Sequence, residues 1–314
     1  MAQRLKDLPI GALVKDTTTL TAYGRPIIWK VVAKNHEGYP ENSVTLISDK
    51  VIYYNQFDGP EVNNPLLGPG GVEYSGWARY DVSNIRQWLN SDAAANEWYA
   101  PQHEYDGPPT QGDIATPGFL NSCSKTFKEY LLDTEIKTYV NSSQQVETII
   151  DKIFLPSFTE LGYNTYNGVG GEEGKKWEYF SDNLSRQAYP ASREMLIYEG
   201  WWNETNIANL LAKPVSYWVR SARLNTESSQ WAIDGSGSTD GSYNANMEHF
   251  VRPACNVKAD LYATSVPDSD GAYILSPRKK MYIYRVDLGI YLYSSIDEIL
   301  LDKDGMYLLA ADEQ

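Results

Sequence analysis

Alternating apolar and polar positions divide the first fifty residues into three strands. ALVKD (12–16), PIIWKVVAKN (26–35) and SVTLISDKVI (43–52) carry the alternation, and the polar turn HEGYPEN (36–42) separates the last two, which together predict a β-meander. A Gly-, Pro- and Asn-rich stretch from Asp58 to Gly76 then breaks the pattern. At SNIRQWLN (83–90) the period changes. Ile85, Trp88 and Leu89 fall at i, i+3 and i+4 behind a capping Ser83, which predicts an amphipathic helix packed on the sheet.

After prolines at 101, 108, 109 and 117 a second helix is expected, with Cys123, Phe127, Tyr130 and Leu131 on one face. EIKTYV (135–140) and TIIDKIFLP (148–156) return to strand-like alternation and are expected to pair. Five glycines between Gly162 and Gly174 mark a loop expected to be mobile, and helical pieces are expected at 193–198 and 206–213. SYWVRSA (216–222), SSQWAIDG (228–235) and HFVRPACNV (249–257) read as three strands of a final sheet, with the polar insert SGSTDGSYNANME (236–248) between the last two. PDSDGAYIL (267–275) and LDKDGMYLL (301–309) share a pattern that makes a tight turn feeding a strand. These elements predict an α+β fold with a twisted antiparallel sheet and two main helices over residues 1–262, followed by a β-rich extension, 263–314, suited to docking or assembly.

Composition narrows the partners. Lys+Arg 27 against Asp+Glu 41 gives a net charge of -14, which repels phosphate backbones and anionic headgroups, so neither nucleic acid nor a membrane surface is expected. Tyr 24 and Trp 9 supply amphipathic rings that suit a binding surface, although Tyr-rich β-proteins without ligands share them. The two cysteines, Cys123 and Cys255, lie far apart in apolar settings and read as buried free thiols. MAQRLKDLPIGALVKD contains no apolar signal region, so synthesis in a host cytoplasm is expected.

The candidate chemistry is sparse. Arg220 in YWVRS and Arg252 in VRP, flanked by Trp218 and Pro253, are expected to be structural, buried on paired strands and held by carboxylates or loop carbonyls. The stretch from Asn225 to Asn246, with Trp231 inside it, mixes adaptable polar groups with rigid aromatics as a paratope does; an ordinary solvated loop is the competing reading. WAIDGSGS resembles the start of a metal-ion-dependent adhesion site, but the β pattern that follows does not supply the doubly wound fold that site needs. The loop beginning at Asp234 fails as an EF-hand, having Thr239 at the sixth position and Ala245 at the twelfth. His36, His103 and His249 show no triad or metal-pair spacing, Glu172 and Glu173 read as solvated, and no catalytic fingerprint is present, so neither enzyme activity, metal nor cofactor is expected.

The order of DLPIGALVKD, PIIWKVV, VTLIS, SNIRQWLNS, DKIFLPS, YWVRSA and VRPACN resembles an uncharacterised domain family of Firmicute phages and prophages, found among virion structural genes, over roughly residues 1–260. YWVRSA, a variable polar stretch and VRPACN are also similar to the C-type-lectin-like fold of phage variable proteins and of formylglycine-generating enzymes, although the catalytic cysteines of the latter are not recognisable here. The resemblance implies a rigid sheet presenting diversified positions, which here are Asn225, Ser228, Ser229, Asp234, Ser236, Ser238, Thr239, Asp240, Tyr243, Asn244 and Asn246. It implies a non-enzymatic virion adhesin at a tail or fibre tip, with a bacterial surface glycan or protein as receptor. Other tail, baseplate or capsid proteins, and further copies of the chain as a homo-oligomer, are the expected partners. A capsid decoration or head-fibre protein is the alternative, and an enzyme acting on cell-wall glycan is a third class.

Overall fold

A computed structural model describes residues 2–67, 74–163, 172–198, 204–276, 281–285 and 290–294. The fold is α+β, built mostly from strands with short helices packed around them. The meander Leu13–Leu20, Pro26–Lys34 and Ser43–Ser48 forms the middle of an eight-stranded sheet. On one side of it, Ala254–Lys258 pairs antiparallel with Ser43–Ser48, and Ile153–Phe154 closes that edge. On the other side, Ala272–Ser276 runs parallel to Leu13–Leu20 and is followed by Tyr262–Ala263 and Gln3–Arg4. The sheet therefore continues past residue 262, where the sequence pattern placed the start of an extension. The DSDG turn that feeds the added strand is closed by Asp268 Oδ1 accepting from the amides of Asp270 and Ala272, while the Lys15 ammonium sits 2.6 Å from Asp268 Oδ2. The related turn at 301–309 lies outside the described residues.

A second, five-stranded sheet runs in the order Thr239–Asn244, Ser229–Ile233, Tyr217–Ala222, Glu248–Val251 and Tyr53–Gln56. HFVRPACNV is thus two strands, not one: Glu248–Val251 belongs to the second sheet and Ala254–Lys258 to the first. Arg252 and Pro253 form the corner between them. Proline has no amide to contribute to a ladder, so it suits a point where the chain changes sheets, and its carbonyl accepts from Ser48 N at 2.9 Å. Arg220 and Arg252 are therefore not on paired strands: Arg220 lies in Tyr217–Ala222, Arg252 lies just past Glu248–Val251, and these two strands meet in a parallel register at Phe250 and Tyr217.

The helix Asn84–Leu89 forms as its periodicity predicts, with Ser83 Oγ accepting from Arg86 N and with Ile85, Trp88 and Leu89 buried. The second expected helix is instead two pieces, Phe119–Ser122 and Lys125–Tyr130. Cys123 and Ser124 are extended because the Ser124 hydroxyl caps the following turn, accepting from Phe127 N at 2.9 Å, and also reaches Asp16 Oδ2 at 2.5 Å. Both cysteines are buried free thiols. EIKTYV and TIIDKIFLP pair through the hairpin of Thr134–Val140 with Gln145–Asp151. No helix among the described residues is long and apolar enough to cross a membrane.

Behind the second sheet lies a buried polar network. Arg220 donates to Glu160 through Nη1 at 2.7 Å and Nη2 at 2.5 Å, and to the carbonyls of Lys137, Leu155 and Glu173. Glu160 also accepts from Ser157 N at 2.9 Å and from the Tyr39 hydroxyl. Glu173, expected to be solvated, is fully buried, while its neighbour Glu172 remains exposed. The Glu173 carboxyl accepts from Tyr139 N at 2.7 Å and from the Ser221 hydroxyl. A glycine-rich context gave no sign of this anchoring. Arg252, equally buried, is satisfied by the carbonyls of Ser48 at 3.0 Å and Arg186 at 3.1 Å and by the Tyr217 hydroxyl.

Burial pushes the Glu173 carboxyl up to about 7 from a usual value of 4.5, with Arg220 and Ser221 opposing the shift and Glu160 adding to it. The folded state therefore holds this proton more tightly than the unfolded chain. The resulting stabilisation is complete below about pH 4.5 and is lost as pH rises through about 7, a difference of about 3 kcal/mol. Glu173→Gln keeps an acceptor for Tyr139 N and a polar partner for Ser221. Urea unfolding at a series of pH values should show the variant gaining stability relative to the parent between pH 5 and 8; parallel profiles would contradict the assignment.

Candidate functional site

The polar insert is not a loop. Thr239–Asn244 is a strand antiparallel to Ser229–Ile233, with Trp231 opposite Gly241 and Ile233 opposite Thr239, and it forms the end strand of the second sheet. A bulge falls between Gln230 and Trp231, and the buried Gln230 amide donates to the carbonyls of Val219 and Ser221.

The turn joining the two strands is closed on itself. Asp234 Oδ1 accepts from Ser236 N at 2.8 Å, Ser236 Oγ at 2.7 Å and Ser238 N at 2.9 Å, which explains the Asp-x-Ser-x-Ser pattern as a hydrogen-bonded turn. Gly237 occupies φ +78, and a Cβ there would lie 1.8 Å from the Asn183 carbonyl oxygen. Tyr163 donates to the Gly237 carbonyl, and the Arg186 guanidinium stacks 4.1 Å above the Tyr163 ring. The turn is therefore seated on the body of the protein.

The opposite end is tied as well. Asn141, at the tip of the neighbouring hairpin, donates to the carbonyls of Arg223 at 2.8 Å and Thr226 at 3.0 Å and accepts from Asn225 N at 3.0 Å. Asn246 donates to the Tyr74 carbonyl at 2.7 Å, and its own carbonyl accepts from Gln56. Between these ties Asn225, Ser236 and Asn244 are exposed, whereas Trp231, Asp234, Ser238, Thr239, Tyr243 and Asn246 are half-buried. Ser228 and Ser229 are buried at 7% exposure each, which removes both from any contact surface. Asp240 lies in the strand, and its side chain is outside the described residues.

The two aromatics expected to act together rest in different clusters. Trp231 packs on Phe158 at 5.5 Å, with Arg223 at 5.9 Å over its ring. Tyr243 leans on Trp218 and on His249 at 4.1 Å. Trp218 is fully buried and donates to the Asn55 carbonyl at 3.0 Å, so it is part of the scaffold.

Two other places carry chemistry. A groove of about 470 Å³ is lined by residues that include Asp81, Arg86, Gln87, Trp98, Asp133, Asp151 and Lys152. Its charges are already paired, Arg86 with Asp151 at 2.8 Å and Lys152 with Asp133 at 2.7 Å. The second place brings together Glu61, His103 and Asp106, whose ligand atoms lie within 4.8 Å of one another. His103 Nε2 stands 2.7 Å from Glu61 Oε1, and Asp106 accepts from Asn84 Nδ2 at 3.0 Å and Gln102 N at 2.6 Å. Burial raises the Glu61 carboxyl to about 7 and holds the imidazole below its usual value. Sequence reasoning missed this cluster because Glu61 sits across a long Gly- and Pro-rich stretch from His103. The spacing His103-x-x-Asp106 was its one local sign.

Residues 42–259 match a domain family described as a domain of unknown function, DUF6273. No curated protein and no solved structure matches the chain. The matched segment spans both the helix Asn84–Leu89 and the whole Asn225–Asn246 arm.

Proposed function

The chain belongs to the DUF6273 family, and we propose that it serves as a non-enzymatic binding module, a virion adhesin whose Asn225–Asn246 arm meets a glycan or protein of a bacterial surface. One observation carries this reading. The arm is a hairpin tied down at its turn and at both flanks, yet it keeps Asn225, Ser236 and Asn244 open to solvent. A recognition surface gains from such order, because side chains already held in place lose less entropy on binding. The half-buried rings of Trp231 and Tyr243 border these positions and add amphipathic contact area.

The C-type-lectin-like resemblance is part of the same proposal. It is supported by YWVRSA and VRPACN lying around two buried arginines while the polar segment between them leads out to the sheet edge. Placement in a phage particle rests on the resemblance in motif order alone.

The purified chain, labelled fluorescently, should bind whole Firmicute cells of a susceptible strain. The substitutions Asn225→Gly, which suits the φ of +63 at that position, and Asn244→Ala should together weaken binding by about tenfold or more while leaving the unfolding midpoint nearly unchanged, since both side chains are exposed. Equal binding by the variant would move the contact surface elsewhere, and release of reducing sugar from cell walls by the chain would overturn the non-enzymatic reading.

A further inference from the structure

Glu61 is fully buried, yet its Oε1 and the facing His103 Nε2 make no hydrogen bond of acceptable geometry, although 2.7 Å separates them. A buried carboxylate oxygen without a partner costs free energy, and two ligand atoms this close, neither of them satisfied, point to a third body lying against both. We infer that Glu61, His103 and Asp106 bind a divalent transition-metal ion of the zinc class through one imidazole and two carboxylates.

The surroundings fit that ion. Asp58, Glu61 and Asp106 bring three carboxyl groups to one place, and Arg79, whose charge acts on His103, is already engaged by Asp81 at 2.8 Å. A dication compensates this excess where a neutral imidazole cannot. Each ligand is held from behind. Asn64 donates to the other Glu61 oxygen, Asn84 and Gln102 N hold Asp106, and the His103 ring stands edge-on to Trp77 at 5.1 Å. Such outer contacts orient ligands in metal sites. Tyr105 N donates a long hydrogen bond of 3.4 Å to His103 Nδ1, which places the ring proton on Nε2, so ligation through Nε2 displaces that proton and gives up this weak contact. The backbones that carry the ligands meet at Gly107, where a Cβ would lie 2.0 Å from the Pro60 carbonyl oxygen, which keeps the Glu61 and Asp106 segments in register. An imidazole beside carboxylates favours zinc-class ions over calcium.

The position of the site gives the ion a task. Trp77, packed on His103, donates through Nε1 to Glu227 at 2.9 Å, and Ala78 N donates to the Glu227 carbonyl at 2.7 Å. Glu227 lies at the base of the Asn225–Asn246 arm, so the metal clips together the loops on which that arm stands. This role does not depend on what the arm binds.

The test is Zn2+ binding to the full chain after removal of metal with EDTA, measured by calorimetry and by competition with a chromophoric chelator. One Zn2+ per chain is expected, with His103→Ala losing at least about 100-fold in affinity, more than outer-shell changes typically cost. His103 is partly exposed, so this variant should keep the parent's circular dichroism in EDTA; if it does not, His103→Gln supplies the same reading. Bound Co2+ should give the visible absorption of a nitrogen- and oxygen-ligated ion, lost in the same variant. Absence of Zn2+ binding by the parent, or equal affinity in the histidine variants, would leave a histidine–glutamate pair only and overturn the assignment. Preference for Ca2+ over Zn2+ would overturn it too.

Discussion

Replacing Arg220 by methionine is expected to lower the unfolding free energy by about 3–5 kcal/mol, because it strands the fully buried Glu160 carboxylate without its counter-charge. The loss is not confined to one ion pair. Arg220 also satisfies the carbonyls of Lys137, Leu155 and Glu173, which come from three separate segments, so its removal frees acceptors in each. Urea denaturation measures the effect. A double-mutant cycle with Glu160→Gln separates the pair from the carbonyl contacts: the second change should recover part of the loss, since the orphaned charge disappears with it. A methionine variant as stable as the parent would mean that the guanidinium is not what joins these segments.

Gly237→Ala is expected to cost about 2–4 kcal/mol, which is large for a single methyl group on a turn. Two effects add. The residue sits at φ +78, a region that penalises a Cβ, and the new carbon would meet the Asn183 carbonyl oxygen at 1.8 Å. That neighbour is backbone and cannot swing aside, so relief requires lifting the turn off Asn183 and releasing the Tyr163 hydroxyl from the Gly237 carbonyl. Amide hydrogen exchange should therefore quicken in Asp234–Ser238 and along Thr239–Asn244, with residues of the meander little affected. Uniform protection across the hairpin in a fully folded variant would show that the turn is not seated as described.

How much of this was legible follows from how local each signal is. The meander strands and the helix Asn84–Leu89 declare themselves because one face of each is apolar at the proper period and buried on one core. The strand Thr239–Asn244 does not, since Asp240, Gly241 and Asn244 are poor strand formers; it exists because Ser229–Ile233 offers it a ladder. The change of sheets at Arg252 and Pro253 is hidden for a related reason: each half of HFVRPACNV reads as strand, and only the partners of each half tell them apart. Arg220 and Arg252 could be read as buried, but not which groups would meet them, because Glu160 and the Arg186 carbonyl arrive from distant segments. The polar character of the arm was plain in the sequence. That Ser228 and Ser229 are buried, and that Trp231 and Tyr243 belong to different clusters, was not, because a bulge at Gln230 shifts the register and no pattern of residue types announces it.

The claim on which the functional reading stands is that an ordered arm is the part that touches the partner. Hydroxyl-radical footprinting of the chain, free and bound to whole cells, addresses it directly. Protection on binding should concentrate at Asn225, Trp231 and the residues from Ser236 to Asn246. Protection gathered instead along the groove of Arg86, Trp98 and Asp133, with the arm labelled equally in both states, would contradict it.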